Sequence, residues 1–492
     1  MKKLFIFNTA IMSLTSVFLR MLMVRYNVYL ADKLTAEGMG LFSLIMTIYS
    51  FAVTVATSGI SLATTRIVSE EASLNNDKGI KIAVFRCVLL ALLLSCFSFG
   101  VIYCFDDFIS EHIFQQRLSR DFVKLLALCF PSISVSSVFN GYFTAVRRVG
   151  KNSFVQILEE IVKITITVLL IEYFEPATIE ACCTYIIFGN IAGEYISMVL
   201  AMFIYIRSAY GFKNEKSSNN ITKRILKITI PVALSSYLKS ALSSIKQILI
   251  PRTTEKAGYS SKEALSSYGE IGGMAVPVIM FPTSISSSLS VLVIPEIARC
   301  YTTKQFERIK NIIAKTYSAI IEFSICSALV FTLFGYKLGI MLYNNANVGI
   351  YITLMAPLVI IMYADTLTDS ILKGIDCQNS VVIINIIDAV ICIFLISVII
   401  PLTGAAGYIL ILYISETINI ILSLSALVKK IKFRINLCNI ITSLLSAAVT
   451  AYTVTYLKGN IAMLITETIC IYYIVCYLIK IFDLKFSKIM LK

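Results

Sequence analysis

A chain of 492 residues that is 58% hydrophobic and only 15% charged, with a mean hydropathy of +0.83, is not a set of soluble domains. About 20 apolar residues make one membrane-spanning helix, so this apolar content supplies roughly fourteen. One histidine (His112) excludes multi-histidine metal sites, and thirteen cysteines without a Cys-x-x-Cys spacing exclude a zinc ribbon or a disulfide framework.

In chain order, apolar runs broken by charged or turn residues predict spans at 4–30, 40–66, 80–104, 121–146, 153–175, 177–206 and 225–250. The second half gives 265–298, 313–342, 347–372, 378–400, 403–427, 435–457 and 460–480. Lys2 and Lys3 before Leu4 imitate a signal peptide, but no small-residue cleavage site follows, so the segment reads as the first span. With the N-terminus in the cytoplasm, inner segments hold 28 lysines and arginines and outer loops hold 8. This excess alternates loop by loop, as the positive-inside rule requires. It predicts a multi-pass plasma-membrane protein with both termini cytoplasmic. No extramembrane loop is long enough for a catalytic domain, and no Gly-x4-Gly-Lys-Ser/Thr is present, so no enzyme, cofactor, metal or ATP site is expected.

The chain resembles itself at an offset near 226. Phe130-Pro131 matches Ala356-Pro357, Lys151-Asn152-Ser153 matches Gln378-Asn379-Ser380, and Glu194 matches Glu416. Six spans per copy is an even number, so the copies face the same way. The expected architecture is all-α, with two parallel six-helix lobes (1–224 and 225–430) followed by two extra helices and a tail (431–492).

Seven cations fall inside spans, where a charge costs about 2.5–3.5 kcal/mol. Arg86 and Lys337 lie near span ends and can snorkel. Arg20 and Arg25 in span one, and Lys239 and Lys246 two turns apart in span seven, occupy equivalent helices of the two copies. Together they make a candidate receptor for an anion, arginine being suited to phosphate oxygens. Glu159 is expected to pair with Lys163 at i, i+4, and Asp365, Asp369 and Lys373 form a stripe at the same spacing. Glu160, Glu194, Asp388 and Glu416 have no obvious local partner and are the candidates for coupling a cation or proton. Pro277 and Pro282, near Gly272-Gly273 and ahead of a serine-rich run (Ser284, Ser286, Ser287, Ser288, Ser290) and Pro295, predict a kinked, hinge-like span eight.

Three stretches resemble the stage V sporulation protein B family. They are Ser58-Gly59-Ile60-Ser61-Leu62-Ala63 running into Arg66-Ile67-Val68-Ser69-Glu70, then Asn140-Gly141-Tyr142-Phe143 with Gln156-Ile157-Leu158-Glu159-Glu160, and Tyr268-Gly269 with Gly273-Met274-Ala275, Pro277 and Phe281-Pro282. That family belongs to the multidrug/oligosaccharidyl-lipid/polysaccharide exporter superfamily. The resemblance implies alternating access and export of a lipid-linked oligosaccharide, for polysaccharide or spore cortex peptidoglycan synthesis. Arg20 and Arg25 match the paired cavity arginines of the lipid II flippase relatives, and Arg66 is a looser match to a third. The relatives' arginine ahead of Phe-Pro is missing between Ala275 and Pro282. The implied partners are the lipid-linked substrate and the bilayer. Proteins of wall synthesis are candidates, and nucleic acid is not expected. The alternatives are a cation-coupled drug or metabolite exporter of the same superfamily and a non-transporting membrane component of wall synthesis.

Overall fold

The computed structural model describes residues 2–115, 117–209, 220–433 and 437–490, without the side chains of 2–10, 12, 13, 149, 288–292, 295, 437 and 481–490. Part of the 208–223 loop and the side chains of Ser288, Ser290 and Pro295 therefore lie outside the described residues. Every regular element among those described is helical, as hydrocarbon demands of backbone that must satisfy its own hydrogen bonds.

All fourteen predicted spans coincide with helices, and the differences are breaks. Helix α1 (Lys2–Thr57) is two helices, 2–34 and 36–57, meeting at Thr35 (φ 62°, ψ 176°). Span two then breaks again at Gly59, before α2 (Ile60–Ser73). Gly59 has φ +77°, and a Cβ there would lie 2.8 Å from the Thr229 carbonyl oxygen, so both conformation and close packing require glycine. Helix α3 (Asp77–Cys104) starts where the Asn76 side chain accepts from Gly79 N–H. Next come α4 (Arg120–Ala127), α5 (Cys129–Ala145), α6 (Val149–Phe174), α7 (Ile179–Ala209) and α8 (Ile221–Lys256).

The second half opens with α9 (Ser261–Tyr268), whose Ser260 and Glu263 form a capping box. A π-helical stretch (Gly269–Ala275) and a short helix (Val276–Met280) separate it from α10 (Thr283–Thr302). Helices α11 (Phe306–Tyr343), α12 (Ala346–Met355) and α13 (Leu358–Gly374) follow, the last two bent by 58° at Ala356-Pro357. The chain ends in α14 (Gln378–Thr403), α15 (Ala405–Lys430), α16 (Leu437–Val454) and α17 (Ile461–Met490).

Among the described residues nine helices are long and apolar enough to cross a membrane, ten if the bent pair is one span. The longest, Leu14–Ser73, covers the first span from Leu14 onward and all of the second. Helix α6 falls outside that count because its length includes Lys151, Glu159, Glu160, Lys163 and Glu172. The chain is an all-α multi-pass membrane protein.

Contacts divide it into two compact units, Met1–Tyr26 with Lys33–Arg252, and Asn27–Asp32 with Thr253–Lys492. Helix α8 thus sits mainly in the first unit. Thr47 donates to Gln247 Oε1 (2.7 Å), Tyr237 to the Val55 carbonyl (2.9 Å) and Ser240 to Thr54 Oγ1 (3.3 Å). Each unit pairs its helices in the same order. In the first, α6 packs on α7, α5 on α7, α2 and α3 on α5, and α2 on α3. In the second, α14 packs on α15, α13 on α15, α10 and α11 on α13, and α10 on α11. Glu70 and Glu296, 226 positions apart, each accept arginines at the end of the corresponding helix, Arg66 with Arg224 and Arg299 with Arg308. Helices α16 and α17 pack on α11 outside this pattern. There Lys480 meets Glu322 at 2.5 Å, and Tyr472 joins a core with Ile325, Cys326 and Leu329.

Small residues let these helices touch backbone to backbone. A Cβ on Gly349 of α12 would stand 2.5 Å from the Tyr336 carbonyl oxygen of α11. Gly349→Ala should therefore destabilise the purified protein in detergent by about 1–3 kcal/mol. Gly100→Ala, with nothing within 4 Å, should leave the melting temperature unchanged or raise it; equal melting of the two variants would refute the tight crossing.

Candidate functional site

The first unit holds all four cations singled out by the sequence. Arg20 and Arg25 sit on the first half of α1, five residues and so roughly 140° apart on the helix. Arg25 is exposed and Arg20 half-buried. On α8, Lys239, Ser243 and Lys246 recur at spacings of four and three and share one face, with Lys239 exposed and Lys246 half-buried. Among the described residues neither Arg25 nor Lys239 has an ion pair, whereas Arg20 and Lys246 each have contacts of their own. A carboxylate partner for every one of these cations, the arrangement that would have cancelled an anion site, is not what the fold builds.

Arg66 stands in a different setting. Its Nε lies 3.1 Å from Glu70 Oε1 at the end of α2. Arg224 at the start of α8 reaches Glu70 Oε2 (2.5 Å) and Glu71 Oε1 (2.6 Å). Glu71 is only 1% exposed and also accepts from Asn76 Nδ2 at 2.7 Å. This network ties α2, the α2–α3 turn and α8 together, and Arg66 is part of that tie.

The acidic residues fall into two groups. In the first unit Lys163 Nζ pairs with Glu160 Oε2 at 3.5 Å, at i, i+3. This corrects both the expected Glu159–Lys163 pair and the reading of Glu160 as partnerless. On a helix i+3 and i+4 are nearly equivalent neighbours, and packing decided between them. Glu159 turns instead toward Glu194 and Ser197. Glu159 and Glu194 line a cavity of about 260 Å³ with Ser136, Asn140, Asn152 and Gln156. Asn152 Nδ2 donates to Asn140 Oδ1 there at 2.9 Å. Asn152, Gln156 and Glu159 share one face of α6, so the cavity follows a polar stripe from the start of that helix.

In the second unit Asp388 accepts from Ser415 Oγ (2.6 Å) and Cys392 Sγ (3.6 Å), a brace between α14 and α15. Asp365 accepts from Asn419 Nδ2 at 3.2 Å. Asp369, Glu416 and Asp388 all act electrostatically on Asp365. The structure thus brings Asp388 and Glu416 to one place, and adds Asp365, Asn419 and Ser423, which the sequence reading did not single out as a site. The available signal was the four-residue recurrence of Ser415, Asn419 and Ser423 along α15. Glu270 was also missed. It is buried on the π-helical stretch and accepts from Asn345 Nδ2 (2.9 Å) and Asn347 Nδ2 (3.4 Å).

Pro277 lies in the first turn of the short helix Val276–Met280, and Pro282 is the N-cap of α10. The carbonyls around this break are taken up by side chains: Tyr363 OH on Ile279, Thr283 Oγ1 on Met280 and Ser284 Oγ on Phe281, at 2.8, 2.6 and 3.0 Å. Local hydroxyls therefore replace helix bonds at the prolines.

A family model described as polysaccharide biosynthesis protein matches residues 6–301. Stage V sporulation protein B of Bacillus subtilis (strain 168) is 21% identical over 403 residues, covering 79% of this chain and 76% of that protein. The lipid II flippase MurJ of the same organism is 22% identical over 437 residues, covering 82% and 78%. Among solved structures, lipid II flippase MurJ in an inward closed conformation superposes with a TM-score of 0.72 at 14% identity, covering 98% of this chain and 99% of that one. An inward-facing multidrug resistance transporter of the MATE family and MOP superfamily gives 0.67 at 12% identity, covering 85% and 98%. These likenesses show that the chain shares the fold of those transporters.

Arg224→Ala would take the Arg224 guanidinium away from buried Glu71. The expected loss is about 1–3 kcal/mol, below the full penalty for a broken buried pair because Arg224 is itself partly exposed. Thermal unfolding in detergent measures it, and Arg66→Ala, at an exposed pair, should change stability by less than about 1 kcal/mol.

Proposed function

The chain belongs to the polysaccharide biosynthesis protein family, and from that premise we propose that it is a flippase moving a polyprenyl-diphosphate-linked saccharide from the inner to the outer leaflet. The saccharide is a peptidoglycan or polysaccharide precursor, used in cell-wall or spore cortex synthesis. The observation that carries this reading is the concentration of Arg20, Arg25, Lys239 and Lys246 in membrane helices of one unit, with Arg25 and Lys239 free of ion pairs among the described residues.

In this mechanism Arg20, Arg25 and Lys246 hold the diphosphate and Lys239 assists, because guanidinium and ammonium donors match phosphate oxygens. Arg66 remains with Glu70 near the cytoplasmic entrance. The six-helix lobes 1–224 and 225–430, with α8 carried by the first of them, are the moving bodies, the helices of 431–492 accompany the second, and Pro277 and Pro282 are the hinge. No bond of the substrate is broken. An inside-negative potential favours outward passage of two negative charges by about 2 × 2.3 kcal/mol per 100 mV. Glu160, Glu194, Asp388 and Glu416 are the groups from which ion coupling would be built, of which Glu194 and Asp388 have the stronger settings. Both termini lie in the cytoplasm by the distribution of basic loops.

A second reading, a cation-coupled exporter of small molecules, draws on the polar cavity of Glu159 and Glu194. It would need that cavity to admit a cationic substrate.

Reconstitution into liposomes with a labelled polyprenyl-diphosphate sugar separates the readings. Arg25→Ala and Lys239→Ala should each slow outward movement about tenfold or more, equivalent to about 1.4 kcal/mol or more. Lys337→Ala should leave the rate as it is. Unchanged rates in both Arg25→Ala and Lys239→Ala, at equal protein per vesicle, would reject the anion site. Export of cationic dyes without movement of the lipid-linked sugar would favour the second reading.

A further inference from the structure

The polar cavity of the first unit has more hydrogen-bonding groups on its wall than it uses. It lies among the end of α1, α5, α6 and α7, with a volume of about 260 Å³. That is just below the roughly 300–1,000 Å³ of sites for drug-sized ligands, and suits a single sugar ring. Thr57, Ser136, Ser137, Asn140, Asn152 and Gln156 supply neutral hydroxyl and amide groups, while Glu159 and Glu194 make its acidic part. Neither lysine nor arginine lines it, so it is no seat for a phosphate.

The neutral groups are under-used. Asn152 Nδ2 donates to Asn140 Oδ1 at 2.9 Å, which leaves Asn140 Nδ2 and Asn152 Oδ1 without a hydrogen bond among the described residues. Ser136 Oγ is buried and has no hydrogen-bond partner there. The Gln156 amide has none either among the described residues. The acidic part is better served. Glu159 faces Glu194 and Ser197, and Lys163 acts electrostatically on both glutamates. What the cavity still offers is a set of amide and hydroxyl groups that both donate and accept and carry no charge. Their complement is an uncharged guest covered in hydroxyl or acetamido groups.

We infer that this cavity binds the sugar residue joined to the diphosphate of the lipid-linked substrate, through Ser136, Asn140, Asn152 and Gln156. That the sugar arrives on a flipped lipid rests on the flippase reading above. Position supports the assignment, because the first sugar of such a lipid reaches only a site beside the cations that hold its diphosphate. The end of α1 joins the two. Thr57 is on the cavity wall, while Thr54 Oγ1 accepts from Ser240 at 3.3 Å and the Val55 carbonyl from Tyr237 at 2.9 Å. Lys239 stands between Tyr237 and Ser240 in α8, and Thr54 and Thr57 are separated by about 4.5 Å along the helix axis. A cationic guest fits less well. It would use the glutamates that Lys163 already serves and leave the four neutral side chains idle.

Equilibrium binding to the full-length protein in nanodiscs tests the site without transport. The probes are a polyprenyl diphosphate and the same lipid carrying one hexose or one N-acetylhexosamine. Wild type should bind at least one sugar form about tenfold or more tighter than the bare lipid, the worth of one or two net hydrogen bonds. Ser136→Ala combined with Gln156→Ala should bring that form down to the affinity of the bare lipid. Neither side chain has a hydrogen-bond partner among the described residues, so the melting temperature should hold. Arg25→Ala should weaken the bare and sugar-bearing lipids alike and keep their ratio. Equal affinity for all the probes in wild type would overturn the sugar site, as would a sugar preference that survives the double substitution. A chain that binds the sugar form through Ser136 and Gln156 yet moves no lipid in liposomes sinks only the flippase reading. One that flips these lipids while holding them with equal affinity sinks only the sugar site.

Discussion

A charge inside hydrocarbon must be paired, hydrated or neutralised, and the placement of charge governs the rest of this structure. The chain uses pairing wherever a charge serves architecture. Lys480 on Glu322 fixes the last helix to α11, Arg224 on Glu70 and Glu71 fixes α8 to the end of α2, and Lys33 meets Glu172 at 3.0 Å. Each pair joins elements far apart in sequence and so ties a specific register. Arg25 and Lys239 are treated otherwise. They stay exposed and without an ion pair among the described residues, open to water or to a counter-charge from outside the helix.

The two units divide these roles. The first holds six of the seven intraspan cations and a polar cavity lined by Glu159 and Glu194; the second gathers carboxyl groups on α13, α14 and α15. Yet both are built on the same helix pairings, and Glu70 and Glu296 serve the same arginine-binding purpose in each. A duplicated scaffold therefore carries two different charge sets. The scaffold tolerates this because its helices are held by close approach of small residues such as Gly339 and Gly349 and by hydroxyls that stand in for broken helix bonds around Pro277 and Pro282. None of these contacts depends on which charges line the neighbouring helix faces.

Much of this was legible in the sequence for a physical reason. Long apolar runs have one stable backbone in a bilayer, so the spans could be read directly, and the glycine and proline breaks at Gly59, Pro277 and Pro357 were visible as residues. Legibility failed where the answer lay across helices. Whether Lys163 would choose Glu159 or Glu160 is a matter of less than one helical turn and is set by α7. That Asn419 would reach Asp365, 54 positions away, or Ser415 reach Asp388, 27 away, cannot be seen from periodicity, because each residue alone is an ordinary polar position in an apolar helix. The location of α8 was hidden for a similar reason: the repeat assigns it to the second copy, while its hydrogen bonds to Thr47, Thr54 and Val55 hold it to the first unit.

This location of α8 bears on how a flippase of this design would work. If cations from both copies sat on separate bodies, an anion would bridge them, and its release would require them to part. Here Arg20 and Arg25 of α1 and Lys239 and Lys246 of α8 belong to one unit, and hydrogen bonds hold the second half of α1 to α8. On the flippase reading, the diphosphate is then held by one body throughout, and opening to either side changes which solvent it meets rather than which residues hold it. Release must come from weakening that hold, through hydration of the cations or the membrane potential acting on the bound charge.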